Sequence, residues 1–398
     1  MQWRDADDSY RVPILSWCRR VDEKAMSQAR DLARHPHVFH HIALMPDCHP
    51  GYGMPIGGVI ACPEHVIPNA VGVDIGCGMG AIQTDCEAAK VTKETVRKIM
   101  ESIKRMVPLG EGRGHRSPQS WDKLDDFEPS GNWMDNRARE LAYRNLGTLG
   151  GGNHFIELQA GDDGFLWMML HSGSRNLGYR IAEWHHGIAR SFAADRKIEL
   201  PAMDLASLPV DSRQGQDYIR DMNFALAYAR ENRARMMQCF RVAVQEHLSA
   251  NFTREINIHH NYAVQEEHFG RKVWVHRKGA TSAREGEWGI IPGSMGTSSC
   301  IVRGRGNADS FQSCSHGAGR CLGRNEACRK LDKDACDRAM RGIVFDGWNR
   351  MTGRGRKAGE FDLGEAPAAY KDINEVMESQ SDLVEIAVRL RPLGVLKG

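Results

Sequence analysis

Five short motifs, "MPDCHPGYG", "VDIGCGMG", "GGGNHFIE", "LHSGSR" and "IHHNY", each set a carboxylate, thiol or imidazole beside glycine or at the end of an apolar run. Asp74, Cys77, His154, His171 and His260 together offer one carboxylate, one thiol and three imidazoles, the donor types that divalent transition metals take up. Such a set holds two ions when one donor is shared, and a thiolate can bridge. The alternative for Cys77 is a small buried hydrophobe, and for any single histidine a hydrogen-bonded structural one. Spacing does not decide between them, because no compact zinc signature such as His-Glu-x-x-His is present.

A second constellation is "SCSHGAGR", Ser313 to Arg320. His316 precedes a Gly-Ala-Gly turn whose backbone N–H groups could cup an anion, with Arg320 close behind. An imidazole near neutral pH is largely unprotonated and can attack an electrophilic phosphorus. A plain loop histidine is the competing reading. "PGSMGTSS" (292–299) supplies another turn with hydroxyl and N–H donors suited to phosphate or ribose. The chain lacks a G-x-x-x-x-G-K-[ST] phosphate loop and the Lys-x-Asp-Gly motif of lysine-nucleotidyl ligases, so nucleotide chemistry would need another nucleophile. His316 is the natural candidate.

The elements that must position these residues can be read from periodicity. Glycine clusters at 51–58, 72–80, 147–152, 286–296 and 302–306, each beside a short apolar run such as "HIALMP", "HFIEL", "FLWMMLH", "WGIIPG" or "CIVRG". That pattern predicts strands followed by tight loops, with sites at strand ends. Helical spacing is clearest over 92–107, where Thr92 is a candidate N-cap and Val96, Met100, Ile103 and Val107 share a face. A longer helix is predicted from about 217 to 250, its Met and Phe stripe serving as core. A final helix is predicted over about 371–390. The segment 108–136 is polar and rich in Gly, Pro and Ser, which predicts an irregular surface excursion, and 349–361 is a basic, glycine-containing loop. Candidate sites spread from residue 47 to residue 397 with no linker between, so residues 1–398 read as one α+β domain of mixed sheets with surrounding helices.

Composition sets the outer limits. The 398 residues are 41% hydrophobic and 26% charged, and no apolar run approaches the roughly 18 residues of a membrane span. The N-terminal stretch is too charged for a secretory signal. Eleven cysteines without a C-x-x-C pair argue against a disulfide scaffold and for a reducing cytoplasm. A net charge of +2 permits nucleic acid only through a local basic patch.

Taken in order, "MPDCHPGYGMPIGGV", "VGVDIGCGM", "LGTLGGGNHFIE", "LHSGSR", "HHNY", "KGA", "GIIPGSMGT", "SHGAGR" and the terminal "LKG" resemble the RtcB family of RNA ligases, from about Phe39 to Gly398. The resemblance implies a GTP- and manganese-dependent ligase that joins RNA ends bearing a 3′-phosphate or 2′,3′-cyclic phosphate to 5′-hydroxyl ends, in tRNA splicing or RNA repair. By it, Asp74, Cys77, His154, His171 and His260 match a two-manganese site with Cys77 bridging, and His316 matches the histidine that becomes guanylylated. Asn153, His154, Phe155, Ile156, Glu157, His260, Asn261, Pro292, Gly293, Ser294, Met295, Ser299, Gly317, Ala318, Gly319, Tyr370 and Lys397 match positions around the guanylyl group. Arg175, Arg320 and Arg324 would hold RNA phosphates as bidentate forks, with Arg175 and Arg320 also counted as catalytic. Asp47 and His49 would support the site or act late in the reaction. On the divalent affinity order a thiolate and imidazole site binds zinc more tightly than manganese, so the manganese assignment rests on the resemblance and on cellular availability.

Two rivals use the same residues. A metal-dependent phosphoesterase would hydrolyse RNA 3′ or cyclic phosphate ends and has no need of His316 or Lys397. A binder without turnover has no need of an intact ligand set. The expected partner is RNA, with no membrane, a monomeric chain, and an activating protein of the kind some family members use left open.

Overall fold

In the computed structural model, which describes residues 1–350 and 360–398, the chain forms two large sheets and the helices that cover them. A six-stranded sheet runs in the order Trp3–Asp5, Ile14–Ser16, Phe39–Tyr52, Met54–Cys62, Arg271–Lys278, Asn261–His268. A seven-stranded sheet runs Phe252–His259, Gly78–Glu87, Phe165–Ser172, Phe155–Gly161, Val384–Lys397, Ser299–Gly304, Trp288–Ile291. Pairing is antiparallel except between Ile14–Ser16 and Phe39–Tyr52.

The sheets are joined by chain and by packing. Strands Phe252–His259 and Asn261–His268 belong to different sheets and are separated by His260 alone. Met45, Val59, Ala61 and Val275 of the six-stranded sheet share one buried cluster with Ile291, Cys300 and Val302 of the other. This is one α+β unit, as the sequence predicts.

The long helix lies at Arg213–Gln245, four residues earlier at its start than the apolar stripe suggests, because Ser212 caps it by accepting the N–H of Gly215 at 3.1 Å. Its Met236, Met237, Phe240 and Val244 pack with Ile99, Met100 and Ile103 of helix Lys93–Met106 and with Ile82, Met168 and Leu170 of the seven-stranded sheet. Thr92 caps the second helix through the N–H of Thr95 (3.1 Å). The helical stripe is therefore core, as expected.

Two expectations need correction. The predicted final helix is a seven-residue helix, Ile373–Ser379, followed by the strand Val384–Lys397. The segment 108–136 is irregular but is no free excursion. Leu124, Trp133 and Met134 are buried in the core, and Trp133 Nε1 donates to Asp221 of the long helix at 2.6 Å. Of the basic loop 349–361, residues 351–359 lie outside the described residues.

Candidate active site

The strand ends converge on a cavity of about 410 Å³. Cys77 sits immediately before strand Gly78–Glu87, His154 before Phe155–Gly161, and His171 near the end of Phe165–Ser172. Sheet register aligns them: His171 faces Met79 on one side and Phe155 on the other. His260 is drawn in when its N–H donates to the Cys77 carbonyl at 2.9 Å. Close backbone approach explains a glycine after the cysteine, since a Cβ on Gly78 would stand 2.0 Å from the Ile258 carbonyl oxygen.

The donor atoms face one another. Cys77 Sγ lies 3.1 Å from His171 Nε2 and 3.4 Å from His154 Nε2, His171 Nε2 lies 3.3 Å from His260 Nε2, and His154 Nε2 lies 3.6 Å from Asp74 Oδ2. His154 Nδ1 donates to the Leu149 carbonyl (2.9 Å) and His171 Nδ1 to that of Asn153 (3.3 Å). A carbonyl only accepts, so both rings carry their proton on Nδ1 and turn an Nε2 lone pair inward. Two lone pairs, a carboxylate and a sulfur thus meet with few protons to share. A cation satisfies them all.

Protonation agrees with that fit. Burial, with His154, His316 and Lys397 nearby, holds His171 well below the usual imidazole range, and burial with His316 and His171 does the same to His260. Neutral imidazole is the ligand form. Burial and the neighbouring Asp74 push the Cys77 thiol up, so the thiolate requires a bound cation to form. These residues fit a transition metal, and the tightest cluster is Cys77, His154 and His171.

His316 follows strand Ser313–Ser315 and reaches the same cavity, its ring centroid 4.8 Å from that of His260. Its Nδ1 donates to Asp47 Oδ2 at 2.6 Å, and its backbone N–H donates to the same oxygen at 3.1 Å. Asp47 is completely buried in strand Phe39–Tyr52. The arrangement leaves Nε2 as the uncommitted nitrogen, the atom a nucleophile needs. Gly319 permits it, because a Cβ there would lie 2.4 Å from the Asp47 carbonyl oxygen and its φ is +74°.

Asn153, Phe155, Glu157, Asn261, Pro292, Gly293, Ser294, Met295, Gly317, Ala318, Gly319, Tyr370 and Lys397 line the cavity with His316. Burial holds the Glu157 carboxyl at about 8, against the pull of Lys397, whose own ammonium burial pushes down. Ile156 does not line the cavity: it faces the opposite side of its strand and packs with Leu396 and Ile99 in the core. Ser299 stands behind the wall, its hydroxyl accepting the Gly293 N–H at 3.2 Å. The anion cup expected at the Gly-Ala-Gly turn is smaller than predicted, since the Ala318 N–H is committed to Pro292 O (2.9 Å) and that of His316 to Asp47.

The arginines separate. Arg320 and Arg324 line the cavity and both bond Glu365. Arg175 instead lies behind the glycine loop, its Nε donating to Thr148 Oγ1 at 3.1 Å and its guanidinium filling the space where Gly150 lacks a side chain. His49 lines the cavity, and burial lowers it to about 4.

Several site residues escape sequence reasoning. Lys278, of the quoted "KGA", lines the cavity; burial lowers it to about 7, and it donates to the Tyr52 and Asn69 carbonyls. Arg233 and Asn232, buried in the long helix, hold the loops from beneath. Arg233 Nη1 donates to Gly76 O and Ser172 O, both at 3.0 Å, and Asn232 Oδ1 accepts the N–H groups of Gly147 and Thr148.

The family model described as tRNA-splicing ligase RtcB matches residues 28–132 and 125–398. The chain belongs to the RtcB family. It is 39% identical to RNA-splicing ligase RtcB1 of Escherichia coli, over 97% of this chain and 98% of that one. It is 38% identical to RNA-splicing ligase RtcB of Escherichia coli K12, with the same coverage. The tRNA-splicing ligase RtcB of Pyrobaculum aerophilum is 31% identical, over 98% of this chain and 95% of its own length. Among the described residues of this RtcB-family protein, no helix is long and apolar enough to cross a membrane.

Proposed function

We propose that this protein is a GTP- and manganese-dependent RNA ligase that joins a 3′-phosphate or 2′,3′-cyclic phosphate end to a 5′-hydroxyl end through a guanylylated His316. The observation that carries the reading is the His316 ring, pinned at Nδ1 by buried Asp47, with Nε2 uncommitted in a cavity that also holds the metal-ligand set.

In the first step His316 Nε2 bonds the α-phosphorus of GTP while the bond to the bridging oxygen breaks and pyrophosphate leaves. The Nδ1–H to Asp47 bond steadies the positive charge that the ring acquires. A 2′,3′-cyclic end first takes up water, whose oxygen bonds the phosphorus as the P–O2′ bond breaks to leave a 3′-phosphate and a 2′-hydroxyl. An oxygen of the RNA 3′-phosphate then attacks the guanylyl phosphorus, the P–N bond breaks, and the end becomes RNA-3′-pp-5′-G. Finally the 5′-hydroxyl oxygen attacks the RNA-side phosphorus, GMP leaves, and the hydroxyl proton is released. Asp74, Cys77, His154, His171 and His260 would hold manganese, which would neutralise charge on phosphoryl oxygens. Phe155, Glu157, Tyr370 and Lys397 are assigned to the guanylate, and Arg320 and Arg324 to RNA phosphate. Eleven cysteines without a C-x-x-C pair or framework spacing support action in a reducing cytoplasm.

The test is incubation with manganese and α-labelled GTP, which should give an acid-labile, alkali-stable label that His316→Ala abolishes. Hydrolysis of cyclic phosphate ends by a metal-loaded protein that takes no label would make it a phosphoesterase.

A further inference from the structure

One carboxylate in the cavity wall binds every cation assigned to two different ligands. Glu365 Oε1 accepts from Arg324 Nε at 2.8 Å and from Arg320 Nη1 at 3.0 Å, while Arg320 Nε donates to Leu322 O at 3.0 Å, its Nη2 to Gly364 O, and its Nη1 also to the Tyr370 hydroxyl at 3.1 Å. Its Oε2 accepts from Lys397 Nζ at 3.2 Å and from the Tyr370 hydroxyl. Its side chain is only 16% exposed. Burial alone would raise its carboxyl, but Lys397, Arg324 and Arg320 and the Tyr370 hydroxyl overcome that and hold it below the ordinary value. Neither the metal set nor His316 touches it, so the reaction steps described above leave it without a role.

Resting on the ligase reading, we infer that Glu365 is a positioning residue that orients Tyr370 and Lys397 toward the guanylate while engaging, as an internal anion, Arg324 Nε and Arg320 Nη1, the donors that the RNA 3′-phosphate must claim. The chemistry is a competition between two anions for the same N–H donors. Three cationic side chains around one carboxylate leave an excess of two positive charges on this wall. The RNA end meets a site already shaped for an anion, but one that yields its donors only to a group of higher charge. A phosphate monoester is such a group, and a 3′-hydroxyl is not. The same carboxylate holds a lysine and a tyrosine at the cavity wall, so its loss is felt at both ends of the site.

The test is Glu365→Gln, which keeps the size and removes the charge, read by two assays with opposite expected signs. The GTP concentration for half-maximal labelling of His316 should rise about tenfold, as expected for losing a charge-assisted contact to Lys397 and Tyr370. Binding of a short single-stranded RNA with a 3′-phosphate should tighten severalfold. Its log–log salt dependence should steepen by about 0.7, one further positive charge having been released toward the strand. The same RNA with a 3′-hydroxyl should gain less. Glu365→Asp, which keeps the charge and shortens the reach, should raise the GTP requirement and leave the RNA salt slope as in the wild type. Parallel weakening of both ligands in either variant, or no change in either, would overturn the inference. Failure of the wild type to take label from GTP would instead refute the ligase reading, and the RNA arm would still decide whether Glu365 competes for the arginines.

Discussion

Replacing Asp47 with Asn tests the proposed nucleophile, His316, at its support. Asp47 and His316 meet at 2.6 Å, Asp47 has no solvent contact, and the same oxygen also takes the His316 backbone N–H. A hydrogen bond to a charged group contributes about 1.5–3 kcal/mol, and 1.4 kcal/mol is a factor of ten, so losing the charge should slow guanylylation about 10- to 150-fold. An amide that turns its NH₂ toward Nδ1 would move the ring proton to Nε2 and make the loss larger. The assay is single-turnover labelling with α-labelled GTP at saturating manganese, on protein whose thermal unfolding matches the wild type. Joining of a pre-guanylylated RNA 3′ end, which does not use His316 as nucleophile, should change by less than about threefold. Labelling within twofold of the wild type, or equal losses in both assays, would refute the reasoning.

Four further outcomes are expected. Cys77→Ala should lower bound metal, measured by elemental analysis after manganese loading and desalting, and should reduce both labelling and joining; unchanged metal content removes Cys77 from the ligand set. Arg233→Leu should weaken metal retention without touching the cavity, because the guanidinium that ties the Gly76 and Ser172 carbonyls together is lost, leaving Gly76 with only His259 Nδ1; retention equal to the wild type would mean the loops hold themselves. Glu157 is raised by burial from its ordinary range near 4.5 to about 8, so the folded state binds the extra proton between those values and stability falls as pH rises through that window. Urea unfolding at pH 5.5 and pH 8 should show a slope that Glu157→Gln flattens, and an identical slope in the variant would contradict it. Thr92→Ala should cost about 1 kcal/mol of stability through its lost cap, with labelling unchanged.

The strand-end motifs were legible because glycine and the chemical side chains stand together in the sequence, and the sheets then bring the motifs together in space. The last element was misread for a physical reason. Val384, Ile386, Val388 and Leu390 alternate with Glu385, Arg389 and Arg391, which is strand periodicity, but Ile386 and Leu390 also sit four apart as on a helix face. The pairing of Leu390 with Gly161 and Ser299, on opposite edges, decides it. Asn232 and Arg233 interrupt an otherwise apolar stripe, yet their meaning depends on which glycine loops cross beneath the helix, and no local pattern carries that. Glu365 belongs to no motif. Its role exists only because a loop returns it to Arg320, Tyr370 and Lys397.

Register is what turns scattered motifs into one site. Gly78 pairs with His259, Met79 with His171, His171 with Phe155, and Phe155 with Lys397. Successive residues of a strand point to opposite faces, so a slip of one residue in Phe165–Ser172 would send His171 away from Cys77 and His154. The buried apolar residues along these strands resist that slip, since the same slip would carry Met168 and Leu170 out of their packing against the long helix. The packing that fixes the core therefore fixes the geometry of the candidate ligands, and the long helix secures both, through Met236 and Phe240 in the core and through Asn232 and Arg233 at the loops.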